Sequence, residues 1–288
     1  MSDLNWSEII SNVRKRNFSP FLQPIYKAAF RILPHKGNNV LEEDWDYLIV
    51  LDACRYDIFE QVNTIEGSLE KKTSVASTTP EWLEKTFSGF YEDLVYVSAN
   101  PHVSDTGMDS TLNPNEHFSD YYLPFLREDC KEFGVVVPEG VSEDARKAIS
   151  NNPDKKAVFH YMQPHAPYIG DKKLDGSLYE LYSDGVSREE LRKAYRDNLE
   201  RVLDEVEDLI EDLEGKIVVT ADHGEMLGEK GVYAHGRGLY LKELVEVPWL
   251  VIEKDEKRES GTSTSLKEDQ DYNEEDIKDQ LANLGYGE

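Results

Sequence analysis

The stretch Lys216-Ile-Val-Val-Thr-Ala-Asp222-His223-Gly224-Glu225 sends apolar and β-branched residues straight into an aspartate, a histidine and a glycine. A buried strand with a carboxylate and an imidazole at its carboxyl end is a way to deliver metal ligands, because open α/β sheets bind ligands outside those ends. A second strand pattern, Asp46-Tyr-Leu-Ile-Val-Leu-Asp52, also closes on an acid. Parallel strands ending in Asp52 and Asp222 would aim both carboxylates at one cation. An aspartate at such a place also serves as a helix cap or an ion-pair partner.

Hydroxyls and more imidazoles follow the same logic. Ser77-Thr78-Thr79-Pro80-Glu81 reads as a helix start. Either Thr79 caps with Pro80 at the first helical position, or Thr78 caps in a Thr-x-x-Glu box with Glu81. Capping is a sufficient reason for these residues. The functional reading places one hydroxyl at the positive helix end as a nucleophile facing a metal. His165 sits in Gln163-Pro-His-Ala-Pro167, where two prolines fix the backbone of a residue that has to point at a substrate. His235, in Ala234-His-Gly236, lies beyond a glycine-rich loop.

These residues need a layered scaffold. Ser187-Arg-Glu-Glu190 is a capping box, and Leu191, Tyr195, Asn198, Val202, Val206, Leu209 and Leu213 recur at helical spacing until Gly215. This amphipathic helix feeds directly into the strand that ends at Asp222, the repeating unit of an α/β fold. Further strands are expected over 93–98, 134–138, 156–161 and 245–252, and a helix over 141–150. Residues 103–130 have weak periodicity and predict no clear element. Three divisions follow: a basic amphipathic segment over 1–40, an α/β domain over 41–253, and an acidic linker with a short terminal helix over 254–288.

Bulk composition narrows the function. The chain has 288 residues, enough for one large α/β domain, and no apolar run reaches the roughly 18–20 residues that cross a bilayer. A net charge of −26 argues against nucleic-acid binding, which needs Lys and Arg on phosphates. The acid excess fits either a surface adapted to high salt or a locally acidic tail on an ordinary domain. The first 36 residues run against that charge, with Arg14, Lys15, Arg16, Lys27, Arg31 and Lys36 among apolar side chains. Such a segment either packs across its own domain or lies on a membrane surface. Two cysteines build no disulfide framework and the N-terminus lacks a signal-peptide pattern, so the expected compartment is the cytoplasm, with the inner membrane surface the alternative.

Together these stretches resemble the sulfatase branch of the alkaline phosphatase superfamily. The resemblance rests on Leu51-Asp-Ala-Cys-Arg-Tyr-Asp57, Gln163-Pro-His-Ala-Pro-Tyr168, Thr220-Ala-Asp-His-Gly-Glu225, His235-Gly-x-x-Leu-Tyr240-x-x-Glu243, Val247-Pro248 and Leu284-Gly-Tyr286. It implies a three-layer α/β/α sandwich with a mostly parallel sheet, and hydrolysis or transfer of phosphate or sulfate esters through a covalent enzyme intermediate. It also implies a cation on Asp52, Asp222 and His223, with His165 and His235 contacting the ester or assisting the leaving group. An imidazole ligand favours Mn or Zn, while oxygen-rich ligation also admits Mg or Ca. The chain departs from the family at the nucleophile. Sulfatases carry Cys-x-Pro-Ser-Arg, whereas here Thr78-Thr79-Pro80-Glu81-Trp82 aligns, and threonine does not become formylglycine. Relatives that act on phosphoesters use threonine, which makes Thr78 the expected nucleophile, with Ser77 and Thr79 as alternates. The substrate implied is a small-molecule, glycan or lipid-linked ester. Strict sulfatase chemistry and a non-catalytic binding role are the competing expectations.

Overall fold

The computed structural model describes residues 35–105, 111–254 and 274–281. Elements run in the order β1 (Tyr47–Leu51), α1 (Tyr56–Val62), β2 (Ser68–Thr73), α2 (Thr79–Thr86), β3 (Tyr91–Ser98), α3 (Pro114–His117), β4 (Phe118–Tyr122), β5 (Lys131–Glu132), β6 (Val135–Val136) and α4 (Pro138–Asn151). There follow β7 (Lys156–Tyr161), α5 (Leu178–Ser183), α6 (Arg188–Glu211), β8 (Lys216–Thr220), β9 (Met226–Leu227), β10 (Tyr233–Ala234), α7 (Lys242–Val245), β11 (Glu246–Glu253) and α8 (Glu274–Leu281).

Seven strands form one sheet in the order β2-β11-β8-β1-β7-β3-β4. The five from β8 to β4 are mutually parallel, and β11 runs antiparallel to both β8 and β2. The centre is buried on both faces, which is why β1 reads Tyr-Leu-Ile-Val-Leu with every residue buried. The edge strand β2 reads Ser-Leu-Glu-Lys-Lys-Thr and stays partly exposed, so it carries no buried-strand pattern to foresee.

Alternation along β7 shows that helices cover both faces. Tyr161 hydrogen-bonds Ser142 of α4 at 2.8 Å, whereas its neighbour His160 packs edge-on against Trp82 of α2. Successive side chains of a strand point to opposite faces, so α4 and α2 lie on opposite sides of the sheet. This is the expected three-layer α/β/α arrangement. Helix α6 starts at the foreseen Ser187–Glu190 capping box and buries Leu191, Tyr195, Asn198, Val202, Val206 and Leu209. Gly215, at φ 86°, turns the chain from this helix into β8. The helix expected over 141–150 extends to Pro138–Asn151, with Pro138 in its first turn where no backbone donor is missed.

The two flanking divisions are described in part. Residues 1–34, 255–273 and 282–288 lie outside the described residues, as do the expected membrane-facing cations up to Arg31, most of the acidic linker and the Leu284-Gly-Tyr286 motif. The end of the basic segment packs on the domain: His35 stacks on Tyr240 with ring centroids 3.9 Å apart, and its ring nitrogen lies 2.7 Å from the Ser74 carbonyl oxygen. At the other end α8 buries Ile277 and Leu281, and Gln280 donates to the Phe125 carbonyl at 3.1 Å. No helix among the described residues is long and apolar enough to cross a membrane.

Candidate active site

Register brings the strand-end acids together. Thr220, Val50, His160 and Ser98 form one row across β8, β1, β7 and β3. Two residues further along their strands come Asp222, Asp52 and Asn100, all at the carboxyl edge. Asn100 Nδ2 donates to Asp52 Oδ2 at 2.6 Å. Asp222 Oδ1 accepts the N–H groups of Ala53 at 3.1 Å and His223 at 2.8 Å. Ala53 takes φ 59°, a left-handed turn strained for a residue with a Cβ, directly after Asp52. The turn is held from below by Tyr195, whose hydroxyl donates to the Ala53 carbonyl at 2.7 Å and accepts Arg55 N–H at 2.9 Å. At Gly224 a side chain would collide with the Glu243 carbonyl oxygen, so the Asp-His-Gly order follows from packing.

Asp52, Asp222 and His223 are fully buried, with ligand atoms within 4.8 Å of one another. His223 Nδ1 faces the Gly224 carbonyl at 2.8 Å, which fixes the proton there and leaves Nε2 as a lone pair toward the acids. Asp52 Oδ1 is buried without a hydrogen bond, 3.6 Å from His223 Nε2. Burial, and then the charge of Asp222, push the Asp52 carboxyl well above its usual range. Burial works the same way on Asp222, but His223, His160 and the Thr79 hydroxyl outweigh it and keep that carboxyl below its usual range. Two adjacent buried acids and an imidazole lone pair, one acid oxygen lacking any donor, are a donor set that fits a divalent cation.

The hydroxyls divide sharply. Thr79 Oγ1 donates to Asp222 Oδ2 at 2.7 Å and lies 3.3 Å from His223 Nε2 and 3.5 Å from Asp52 Oδ2. Thr78, the choice made from sequence, is not brought to this cluster. It is the N-cap of α2, in extended backbone at φ −155° and ψ 154°, and its Oγ1 accepts Glu81 N–H at 3.4 Å. Ser77 Oγ turns instead toward Glu81 and the Gly236 carbonyl. The helix start therefore uses one threonine as cap and presents the next, as the first helical residue, to the acids. The expected box is also shifted, since the Glu81 carboxylate accepts Ser77 N–H rather than Thr78 N–H.

Beside the acids lies a second group, His165, Glu225 and His235, whose ligand atoms are again within 4.8 Å of one another. The His235 ring centroid is 4.4 Å from that of His223 and 5.3 Å from that of His165. His235 Nδ1 lies 3.2 Å from both Glu225 oxygens, and His165 Nδ1 faces the Ala166 carbonyl. Burial lowers His165 and His235 to about 4 and raises Glu225 to about 7. Burial thus favours the uncharged ring at both histidines and the protonated carboxyl at Glu225, which faces His235 Nδ1. Glu225 and Asn100 are residues that sequence reasoning passed over. Glu225 stood inside the Asp-His-Gly-Glu motif, and only its burial beside two histidines marks it out.

The remaining part of the first motif supports rather than reacts. Arg55 pairs with Asp57 at 2.7 Å and with Glu229 at 2.8 Å, and donates to the Glu225 carbonyl at 3.1 Å. It thereby ties α1 to the segments on either side of β9. Cys54 is buried, and burial first, then nearby acids, raise its thiol well above the usual value, as suits a packed thiol.

Comparison with known proteins agrees with this architecture. Residues 64–286 match the Sulfatase family model, a span that begins after Asp52. The low-salt glycan biosynthesis sulfotransferase Agl7 of Haloferax volcanii is 26% identical over 230 residues, which cover 72% of this chain and 54% of that protein. The chain thus spans about half the length of that curated relative. Among solved structures, the soluble domain of lipooligosaccharide phosphoethanolamine transferase A from Neisseria meningitidis superposes with a TM-score of 0.55 at 16% identity, over 73% of this chain and 76% of that one. The integral membrane form of that transferase gives 0.55 at 14% identity, over 76% of this chain and 49% of the other.

Proposed function

The chain belongs to the sulfatase family, and from that premise we propose that it is a metal-dependent hydrolase or transferase of phosphate or sulfate esters that works through a covalent intermediate on Thr79. The observation that carries the reading is the Thr79 hydroxyl, fully buried and 2.7 Å from Asp222 beside Asp52 and His223. Asp52, Asp222 and His223 would hold the cation, for which Mn or Zn suit the mixed ligand set best. Bound there, it would neutralise charge on the ester and lower the pKa of the nucleophile.

In the first half-reaction Thr79 Oγ1 bonds to the ester phosphorus or sulfur, and the bond to the leaving oxygen breaks. The hydroxyl proton leaves toward the Asp222–Asp52 acid pair that faces Thr79 Oγ1. The Glu225–His235 pair supplies the proton that the departing oxygen takes up. In the second half-reaction the oxygen of water or of an acceptor alcohol bonds to the phosphorus or sulfur as its bond to Thr79 Oγ1 breaks. The proton of that nucleophile goes to His235 and restores the Glu225–His235 pair, Thr79 Oγ1 takes back its proton from the acids, and His165 contacts the ester oxygens. The missing Cys-x-Pro-Ser-Arg motif favours phosphoesters over strict sulfatase chemistry. Thr79→Ala, assayed on p-nitrophenyl phosphate, bis-p-nitrophenyl phosphate and p-nitrophenyl sulfate, is expected to lose all turnover while still binding Mn or Zn. Turnover that survives in that variant would remove the assignment.

A second reading, with two cations, is favoured by the His165–Glu225–His235 group. Metal analysis decides it: two equivalents per chain, falling to one in His235→Ala, would establish it. For the substrate, the 26% identical glycan sulfotransferase supports a glycan or lipid-linked ester. The basic segment over 1–36 supports action at an anionic membrane surface, and its deletion should abolish co-sedimentation with anionic vesicles. Failure of the purified protein to bind any divalent metal would favour a non-catalytic role, since a site of this type cannot work empty.

A further inference from the structure

Glu81 sits on the first turn of α2, two residues after Thr79, and is only 3% exposed. Its Oε2 accepts Ser77 N–H at 3.1 Å and Gly238 N–H at 3.4 Å, with Ser77 Oγ also at 3.1 Å. Its Oε1 accepts Lys85 Nζ at 2.9 Å and the Tyr240 hydroxyl. Ser77 Oγ in turn accepts Leu239 N–H at 3.2 Å and lies 3.0 Å from the Gly236 carbonyl oxygen. Two segments more than 150 residues apart in sequence therefore meet on one buried carboxylate. One is the turn that presents Thr79, and the other is the loop that follows His235.

A helix cap needs none of the contacts to residues 236–240. A buried acid with donors on both oxygens, drawn from both segments, holds those segments in one relative position. We propose that Glu81 is a positioning residue that locks the His235 loop to the Thr79 turn, so that proton donor and nucleophile keep their spacing across the ester. The inference rests on the ester-transfer reading above. Truncation at Glu81 leaves Ser77 N–H and Gly238 N–H without acceptor and frees the loop to shift, and a displacement of order 1 Å at a reacting group costs about 100-fold in rate. Glutamine keeps one acceptor oxygen for Ser77 and Gly238 while giving up the charge opposite Lys85.

The test compares Glu81→Ala, Glu81→Gln and Lys85→Met in the full chain. On an aryl phosphate, Glu81→Ala is expected to lose about 100-fold in kcat with KM and Mn affinity within about threefold of wild type. Glu81→Gln should recover most of that loss, and Lys85→Met should stay near wild type. Hydrogen exchange supplies a readout independent of turnover: the Gly238 and Leu239 amides should exchange at least about tenfold faster in Glu81→Ala, with β1 amides unchanged. Should the alanine variant fail to fold, Ser77→Ala removes only the hydroxyl contacts and is expected to lose about tenfold in kcat. An unchanged kcat, a loss in Lys85→Met equal to that in Glu81→Ala, or unaltered exchange at Gly238 and Leu239 would overturn the proposal. If the wild-type chain turns over no ester, the functional reading fails, and the exchange comparison still decides the role of Glu81.

Discussion

The carboxyl edge of the sheet and the two loops that close over it build one site by different means. At the edge, Asp52, Asp222 and Asn100 stand two residues beyond a common row of the sheet, and their positions follow from backbone pairing. In the loops, Thr79 and His235 are placed by side-chain hydrogen bonds, through a capping threonine and the carboxylates of Glu81 and Glu225. A sheet edge tolerates little change of register, because a one-residue slip turns every side chain to the other face. A helix start has no such constraint, and adjacent threonines compete for the cap. The side of the site that carries the acids is thus set by topology, while the side that carries Thr79 and His235 depends on a few polar contacts.

The sharpest way to break this contrast is to mutate the two threonines in parallel. Thr79→Ala should abolish ester turnover, since it removes the proposed attacking atom. Thr78→Ala should cost about 1 kcal/mol of stability by loss of a cap and leave kcat nearly intact. Equal losses of activity would merge the two roles and undo the division. Next in size, Asp222→Asn should weaken Mn or Zn binding about 100-fold in titration calorimetry, against about tenfold for Asn100→Ala, which only orients Asp52. Chelation should remove activity and re-added metal should restore it, and indifference to chelation would sever the edge from function.

A smaller effect concerns the support beneath the edge. Burial alone would raise Glu229, but the Arg55 guanidinium outweighs it and holds the carboxyl at about 2. A depressed folded pKa means that the stabilisation is complete above the ordinary value of 4.5 and is lost as pH falls toward 2. Glu229→Gln should therefore melt lower than wild type at neutral pH, with the gap in Tm closing on acidification through that window. A gap that widens in acid would contradict it. The smallest expected change is with salt. At a net charge of −26, screening of self-repulsion should raise Tm modestly as NaCl is added, and the edge and loop variants should share that slope.

Legibility follows the same line. The strands ending at Asp52 and Asp222 were readable because buried parallel strands leave continuous apolar runs, and α6 was readable from its capping box and period. β2 and β4 were not, since edge strands such as Ser-Leu-Glu-Lys-Lys-Thr mix charged and apolar residues as loops do. Thr78 was preferred to Thr79 because the Thr-x-Pro spacing points to the first threonine, whereas side-chain direction at a helix start depends on which residue becomes the cap. Glu225 is visible as a letter in a motif, yet its raised pKa comes from burial, which outweighs the lowering by His165 and His223 and which no local pattern encodes.

By itself the sequence determined which residue types stand at the ends of which strands, the family pattern they make, and therefore Asp52, Asp222 and His223 as the candidate ligands of a cation. Periodicity and strand-end chemistry are local properties of the chain. Tertiary structure alone decided that Thr79 rather than Thr78 faces the acids, that Glu225 joins His165 and His235, and that Glu81 bridges the Thr79 turn and the loop after His235. The first and last depend on hydrogen bonds between residues far apart in sequence, and the second on a contact across one folded loop, whose geometry exists only once the sheet has brought its carboxyl edge and its loops together.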